Sequence, residues 1–139
     1  MRYLLDTSIC VFFLRGKINL DKIVREVGIE NCFISEITVA ELRFGAENTP
    51  TPVKAHKAVD TFIKGLTILP IFGCISKYAS EKVRLRKLGT PLHDDFDLLI
   101  GVTAIVNQLT LVTDNIKDFK NLEGIEIENW FERTANNKP

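Results

Sequence analysis

Residues 92–119, LHDDFDLLIGVTAIVNQLTLVTDNIKDF, decide the fold. The stretch reads as a helix that opens on carboxylates, then a short buried strand, then more carboxylates at the strand's end. Leu98, Leu99, Val102, Ile105 and Val106 recur at helical spacing and predict the buried face of the helix. Leu109, Leu111 and Val112 form an apolar run of strand length, with Asp114 and Asp118 behind it. Asp94 and Asp95 suit the first turn of a helix, where capping and the helix dipole favour acids. Asp97 lies beside apolar residues, and capping explains it less well. Carboxylates at both ends of this unit form an acidic pocket if acids from elsewhere converge on it.

Working back toward the N-terminus, RYLLD (residues 2–6) predicts a first strand ending in Asp6, followed by a helix over Ile9–Leu14 and a second helix over residues 20–28. Asp6 stands where open α/β sheets place ligands, at the carboxyl end of a strand, or it caps the next helix. Cys32–Ser35 reads as a second strand. Thr38-Val39-Ala40-Glu41 matches a capping box, so a helix is expected to start near Thr38, with Glu41 either closing that box or serving a site. Gly45 predicts a short helix or a bend. A helix over 53–65, a strand over 66–69 and a basic amphipathic helix over 75–88 follow, the last closed by Gly89-Thr90-Pro91. Beyond Asp118, residues 125–127 alternate as a final strand and Trp130 is a packing residue. Strands alternating with helices predict a mainly parallel sheet between helices, in one domain over residues 1–133 with a frayed tail over 134–139.

The chain has 139 residues, 45% hydrophobic and 26% charged, an ordinary globular composition able to bury one core. No apolar run reaches the roughly 18 residues that span a membrane, and MRYLLD turns acidic too early for a signal peptide. Three scattered cysteines and two histidines make no zinc pattern and suit a reducing cytoplasm. With 18 basic and 18 acidic residues the net charge is zero, so nucleic acid is attracted only by a local patch. The most basic stretch is the helix over 75–88. Its Arg84, Arg86 and Lys87 are candidate RNA contacts, or one solvated face.

Asp6, Glu41, Asp97 and Asp114 each fall at a strand end or in a first helical turn, so a parallel sheet can gather them at one edge. Two carboxylates about 5 Å apart repel by roughly 3 kcal/mol at an effective dielectric near 20. Four together need a cation or protons. Oxygen ligands without His or Cys point to Mg²⁺ or Mn²⁺, and to hydrolysis of a phosphodiester. The sequence contains no P-loop, no G-x-G-x-x-G and no G-x-S-x-G nucleophile elbow. A phosphatase on a related sheet lacks its D-x-D nucleophile pattern in Asp6-Thr7-Ser8.

YLLDTS, ISEITVAELRFG, DFDLLIG, LVTDNIKDF and GIEIENW occur in the order found in VapC-type toxins of the PIN-domain family, and the resemblance spans nearly the whole chain. It implies a three-layer α/β/α fold and a Mg²⁺-dependent endoribonuclease. It also implies a homodimer silenced by a cognate VapB-type antitoxin. By motif, Asp6 and Asp97 resemble the principal metal ligands and Glu41 the third acid, while Asp114 and Asp118 compete to be the fourth. Thr7 and Thr113 resemble supporting polar residues. Ser8 replaces the usual Asn, Asp94-Asp95-Phe96 replaces a Gly-Pro-Tyr-like stretch, and Gly101 stands where Ala is usual. Retention of the acids favours the enzyme over a non-catalytic binding module that keeps only dimer and antitoxin surfaces.

Overall fold

The computed structural model describes residues 1–131, so the tail expected over 134–139 lies outside the described residues. Five strands form one sheet: β1 Tyr3–Leu5, β2 Cys32–Ser35, β3 Thr67–Leu69, β4 Thr110–Val112 and β5 Ile127–Glu128. Their order is β3-β2-β1-β4-β5, and every pairing is parallel. The helices are α1 Thr7–Leu14, α2 Leu20–Val27, α3 Glu36–Glu47, α4 Pro52–Ile63, α5 Ile75–Leu88, α6 Asp95–Val106 and α7 Ile116–Phe119. None of them is long and apolar enough to cross a membrane.

Alternation along the strands makes the three layers. Tyr3 and Leu5 of β1, Cys32 and Ile34 of β2 and Val112 of β4 point into one core, with residues of α1 to α4. Leu4 and Leu111 point into the other, with Leu85 of α5, Leu98 and Val102 of α6 and Phe119 of α7. Both faces of the central strands are therefore covered, which explains the consecutive apolar residues Tyr3-Leu4-Leu5 of β1 and Cys32-Phe33-Ile34 of β2. Trp130 is fully buried and meets Tyr3 edge to face at 5.0 Å, as a packing residue should.

Three local expectations are corrected. α3 starts at Glu36, not near Thr38, because Ser35 at the end of β2 caps it by accepting a hydrogen bond from the Ile37 amide at 3.0 Å. Glu41 is thus in mid-helix and closes no capping box. Gly45 lies inside α3 and makes no bend. The last strand is Ile127–Glu128, two residues later than its alternation suggested, since it needs Leu111 and Val112 of β4 as partners. By contrast, Gly89 ends α5 as expected, with φ of 76° that a side chain would strain.

The strand order turns at β1. From β1 the chain builds outward to β2 and β3, and β4 then returns to the other side of β1. The crevice at the carboxyl ends of β1 and β4 is therefore the topological switch point, where α/β sheets bind ligands. Leu5 is in register with Val112, and the Asp6 amide donates to the Val112 carbonyl at 2.9 Å.

Candidate active site

Asp6 is the first residue past β1 and is only 2% exposed. It caps α1 and serves the crevice at once. Its Oδ1 accepts from the Thr7 amide at 2.8 Å. Its Oδ2 accepts from the Thr113 hydroxyl at 2.8 Å and from the Ser8 hydroxyl at 3.2 Å. A carboxylate offers about four acceptor positions, so one on Oδ1 is left over. Burial raises the Asp6 carboxyl above its ordinary range, the Thr113, Thr7 and Ser8 bonds oppose this, and the charge of Asp114 adds to it.

Glu41 reaches the same crevice from the second turn of α3. The Thr7 hydroxyl donates to its Oε1 at 2.8 Å. Thr7 Oγ also lies 3.0 Å from Thr38 Oγ, and since its proton goes to Glu41, Thr38 is the donor there. Burial raises the Glu41 carboxyl, and Asp94 and Asp6 raise it further against the Thr7 bond. Asp97 comes from the first turn of α6. Burial first, then the charges of Asp6, Asp94, Glu41 and Asp118, push its carboxyl up to about 7. Asp6 and Glu41 are thus linked through Thr7, and the charges of both bear on Asp97.

Asp114 and Asp118 act on different acids. The charge of Asp114 is felt by Asp6 and that of Asp118 by Asp97. Asp114 Oδ1 is buried and has no hydrogen-bond partner, a costly state for an acceptor with nothing to bind. Thr113 braces this corner, donating to Asp6 while accepting from the Asn115 amide at 3.0 Å.

Sequence reasoning missed three members. Asp94 does cap α6, accepting from the Phe96 amide at 2.8 Å, but its charge also bears on Glu41 and Asp97. Its spacing of three from Asp97 on one helix was the available signal. Thr38, three residues before Glu41, gave the same signal. Ser8, noted only as a departure from Asn, still bonds to Asp6.

These residues suit a hard divalent cation. The donors are all oxygen, Asp6 keeps an unused acceptor position, Asp114 Oδ1 is orphaned, and no ion pair among the described residues neutralises Asp6, Glu41, Asp97 or Asp114. Among the described residues no group of three His, Cys, Asp or Glu side chains stands ready as a cage. Mg²⁺ does not require one, since it keeps several waters and takes one or two carboxylates.

The basic residues of α5 divide. Arg84 is taken up by Glu81, Nε to Oε1 at 2.7 Å and Nη2 to Oε2 at 2.8 Å, and by the Asn121 carbonyl at 2.7 Å. These bonds use three of its five N–H groups, and the Glu81 carboxylate balances its charge. Arg86 and Lys87 are exposed.

The PIN domain family model matches residues 3–125. The chain is 32% identical over 136 residues to ribonuclease VapC2 of Rickettsia felis, covering 94% of this chain and 98% of that one. It is 29% identical over 131 residues to the tRNA(fMet)-specific endonuclease VapC of Salmonella typhimurium, with the same coverage. Its fold is similar to that in the crystal structure of DNA-bound VapBC from Salmonella typhimurium, with a TM-score of 0.86, 29% identity and coverage of 94% and 98%. VapBC2 from Rickettsia felis bound to a promoter DNA fragment gives 0.85 and 32%, with coverage of 94% and 99%.

Proposed function

The chain belongs to the PIN-domain family, among the VapC ribonuclease toxins of toxin-antitoxin systems, and on that premise we propose that it cleaves RNA phosphodiester bonds with a divalent cation held by Asp6 and Asp97. The observation that carries this reading is the set of converging, mutually repelling carboxylates with an orphaned Asp114 oxygen beside them. Mg²⁺ or Mn²⁺, when bound, supplies a water of lowered pKa and takes up charge on the phosphate.

The chain's own residues do the positioning. Thr113, Ser8 and the Thr7 amide fix Asp6 and leave it one acceptor position for the cation. The Thr38–Thr7–Glu41 chain holds the third acid in one rotamer, with Oε2 left to orient the attacking water or accept its proton. Asp114 is our choice for the fourth acid, because it stands next to Thr113 just past the carboxyl end of β4 and its buried Oδ1 has no hydrogen-bond partner.

We assign it a VapB-type antitoxin as inhibitor and a homodimeric state. The VapBC complexes among its structural neighbours support the first. An apolar cleft of about 280 Å³ between α1, α3 and α4 reaches Glu41, and is lined by Val11, Leu14, Leu42, Ala46 and Val59. An inhibitor covering it would shield the acids.

Purified protein incubated with RNA in Mg²⁺, Mn²⁺ or EDTA tests the reading, with Asp6→Asn alongside. Initiator tRNA is the first RNA to try, being the substrate named for the Salmonella typhimurium relative. Cleavage is expected in either metal and absent in EDTA and in the variant. Cleavage that persists in EDTA, or in Asp6→Asn, refutes it.

A further inference from the structure

The four acids have no cation of their own among the described residues, so a polyanionic strand reaching them must find its positive charge nearby. α6 leads to one. Asp94 and Asp97, three residues apart, act on the acid cluster. Asp95 lies about 100° round the helix from Asp94 and about 160° from Asp97, and it faces α5 instead. There it meets Lys82, with Nζ 2.8 Å from Oδ1 and 3.1 Å from Oδ2. Lys82 also donates to Tyr78 Oη at 3.3 Å and lies over its ring, which fixes the ammonium in place. Around this pair is a cleft of about 220 Å³ between α5 and the connection to α6, walled by Lys82, Arg86, Pro91, Leu92, His93 and Asp95. Arg86 and His93 make no ion pair or side-chain hydrogen bond among the described residues, unlike Arg84 one step away. The cleft therefore presents a fixed ammonium, a free guanidinium and a free imidazole, one helix face away from Asp97.

Resting on the ribonuclease reading above, we propose that this cleft is a substrate subsite, in which Lys82, Arg86 and His93 hold a backbone phosphate of the single-stranded RNA next to the bond being cut. Arg86 supplies the planar fork that phosphate oxygens match. Asp95 occupies on Lys82 the place a phosphate oxygen takes, so it acts as a built-in competitor that RNA displaces. This explains why α6 tolerates Asp95, besides Asp94 and Asp97, at its start beside a site for a polyanion.

The competitor makes the test two-sided. Affinity for a labelled single-stranded oligoribonucleotide is measured in EDTA, so that cleavage does not intervene, across a range of KCl concentrations. The proteins are the parent, Lys82→Ala/Arg86→Ala, Lys82→Ala and Asp95→Asn, each checked by its melting curve. The double variant is expected to bind at least about tenfold more weakly, with a log–log salt slope shallower by about 0.7 for the one phosphate lost. Asp95→Asn is expected to bind about threefold more tightly, the worth of one exposed ion pair. If Lys82 and Asp95 only brace α5 against α6, Lys82→Ala and Asp95→Asn shift affinity in the same direction, and the subsite is refuted. It is refuted equally if the double variant keeps the parent's affinity and slope, including the case where only self-association or antitoxin binding changes. A parent that binds no RNA in EDTA but cleaves it in Mg²⁺ overturns this subsite alone, and a parent that does neither overturns the ribonuclease reading and the subsite with it, so the two failures are told apart by the parent.

Discussion

Replacing Asp97 with Asn perturbs the charge balance of the metal-free protein, and the structure sets both the sign and the size of the effect. Burial, with Asp6, Asp94, Glu41 and Asp118 adding to it, pushes the Asp97 carboxyl up to about 7. In an unfolded chain an Asp titrates near 3.9. Between those values the folded protein keeps a proton that the unfolded chain has released, so stability falls as pH rises. The contribution is intact below about pH 4 and lost once pH passes about 7. The full gap corresponds to about 4 kcal/mol, and water reaching a half-buried carboxylate reduces this to ~2 kcal/mol. For a chain of this length that is a change of ~6 °C in melting temperature. Asn keeps the shape and removes the charge. At pH 8 in EDTA, Asp97→Asn should therefore melt ~6 °C above the parent, and at about pH 4.5 most of that difference should vanish. Mg²⁺ at pH 8 should stabilise the parent more than the variant, since only the parent keeps the full site. Scanning calorimetry at the two pH values, with and without Mg²⁺, reads all three effects. A variant less stable than the parent at pH 8, or a difference independent of pH, refutes the reasoning.

At Gly101 a Cβ would lie 2.3 Å from Leu122 Cδ1 and 3.3 Å from Phe119 Cδ1, so Gly101→Ala should destabilise by ~2 kcal/mol through overpacking, as urea denaturation would show. Arg84→Ala leaves Glu81, 2% exposed, without its paired guanidinium, and should lower the melting temperature at pH 7 while leaving RNA affinity unchanged. The Arg84 bond and charge hold the Glu81 carboxyl below its ordinary value, so this deficit is full above that value and shrinks as acid protonates Glu81. Asp114→Ala should lose more RNA cleavage than Asp118→Ala, on the order of tenfold more, because Asp114 stands just past the carboxyl end of β4 with a buried oxygen that has no hydrogen-bond partner. Equal losses in single-turnover rates would return the fourth acid to open competition.

Much of this architecture is legible in the sequence because strands such as β1 are short apolar runs and helices such as α2 and α5 close on Gly28 and Gly89. Asp6 and Asp97 are legible for the same reason, since their positions follow from where β1 ends and α6 begins. Glu41 shows the limit of local pattern. Thr38 to Glu41 fits a capping box, but Ser35 wins the cap because the parallel pairing of β2 ends there and leaves its hydroxyl over the Ile37 amide. What decides the site is non-local. Thr113 bonds to Asp6 across 107 positions, and Thr7 to Glu41 across 34. No window of sequence contains either pair. The same holds for α5, where five basic residues look alike in sequence. Only the fold shows that Arg84 is taken up by Glu81 and Lys82 by Asp95, while Arg86 is left free.

Direct titration of Mn²⁺ into the protein, by calorimetry or by loss of the free-ion paramagnetic signal, tests the central claim most plainly. The parent should bind saturably, and Asp6→Asn and Asp97→Asn should each lose that binding while keeping a cooperative melt. Parent-like Mn²⁺ affinity in both variants, or no saturable binding by the parent, would contradict a cation held between these two carboxylates.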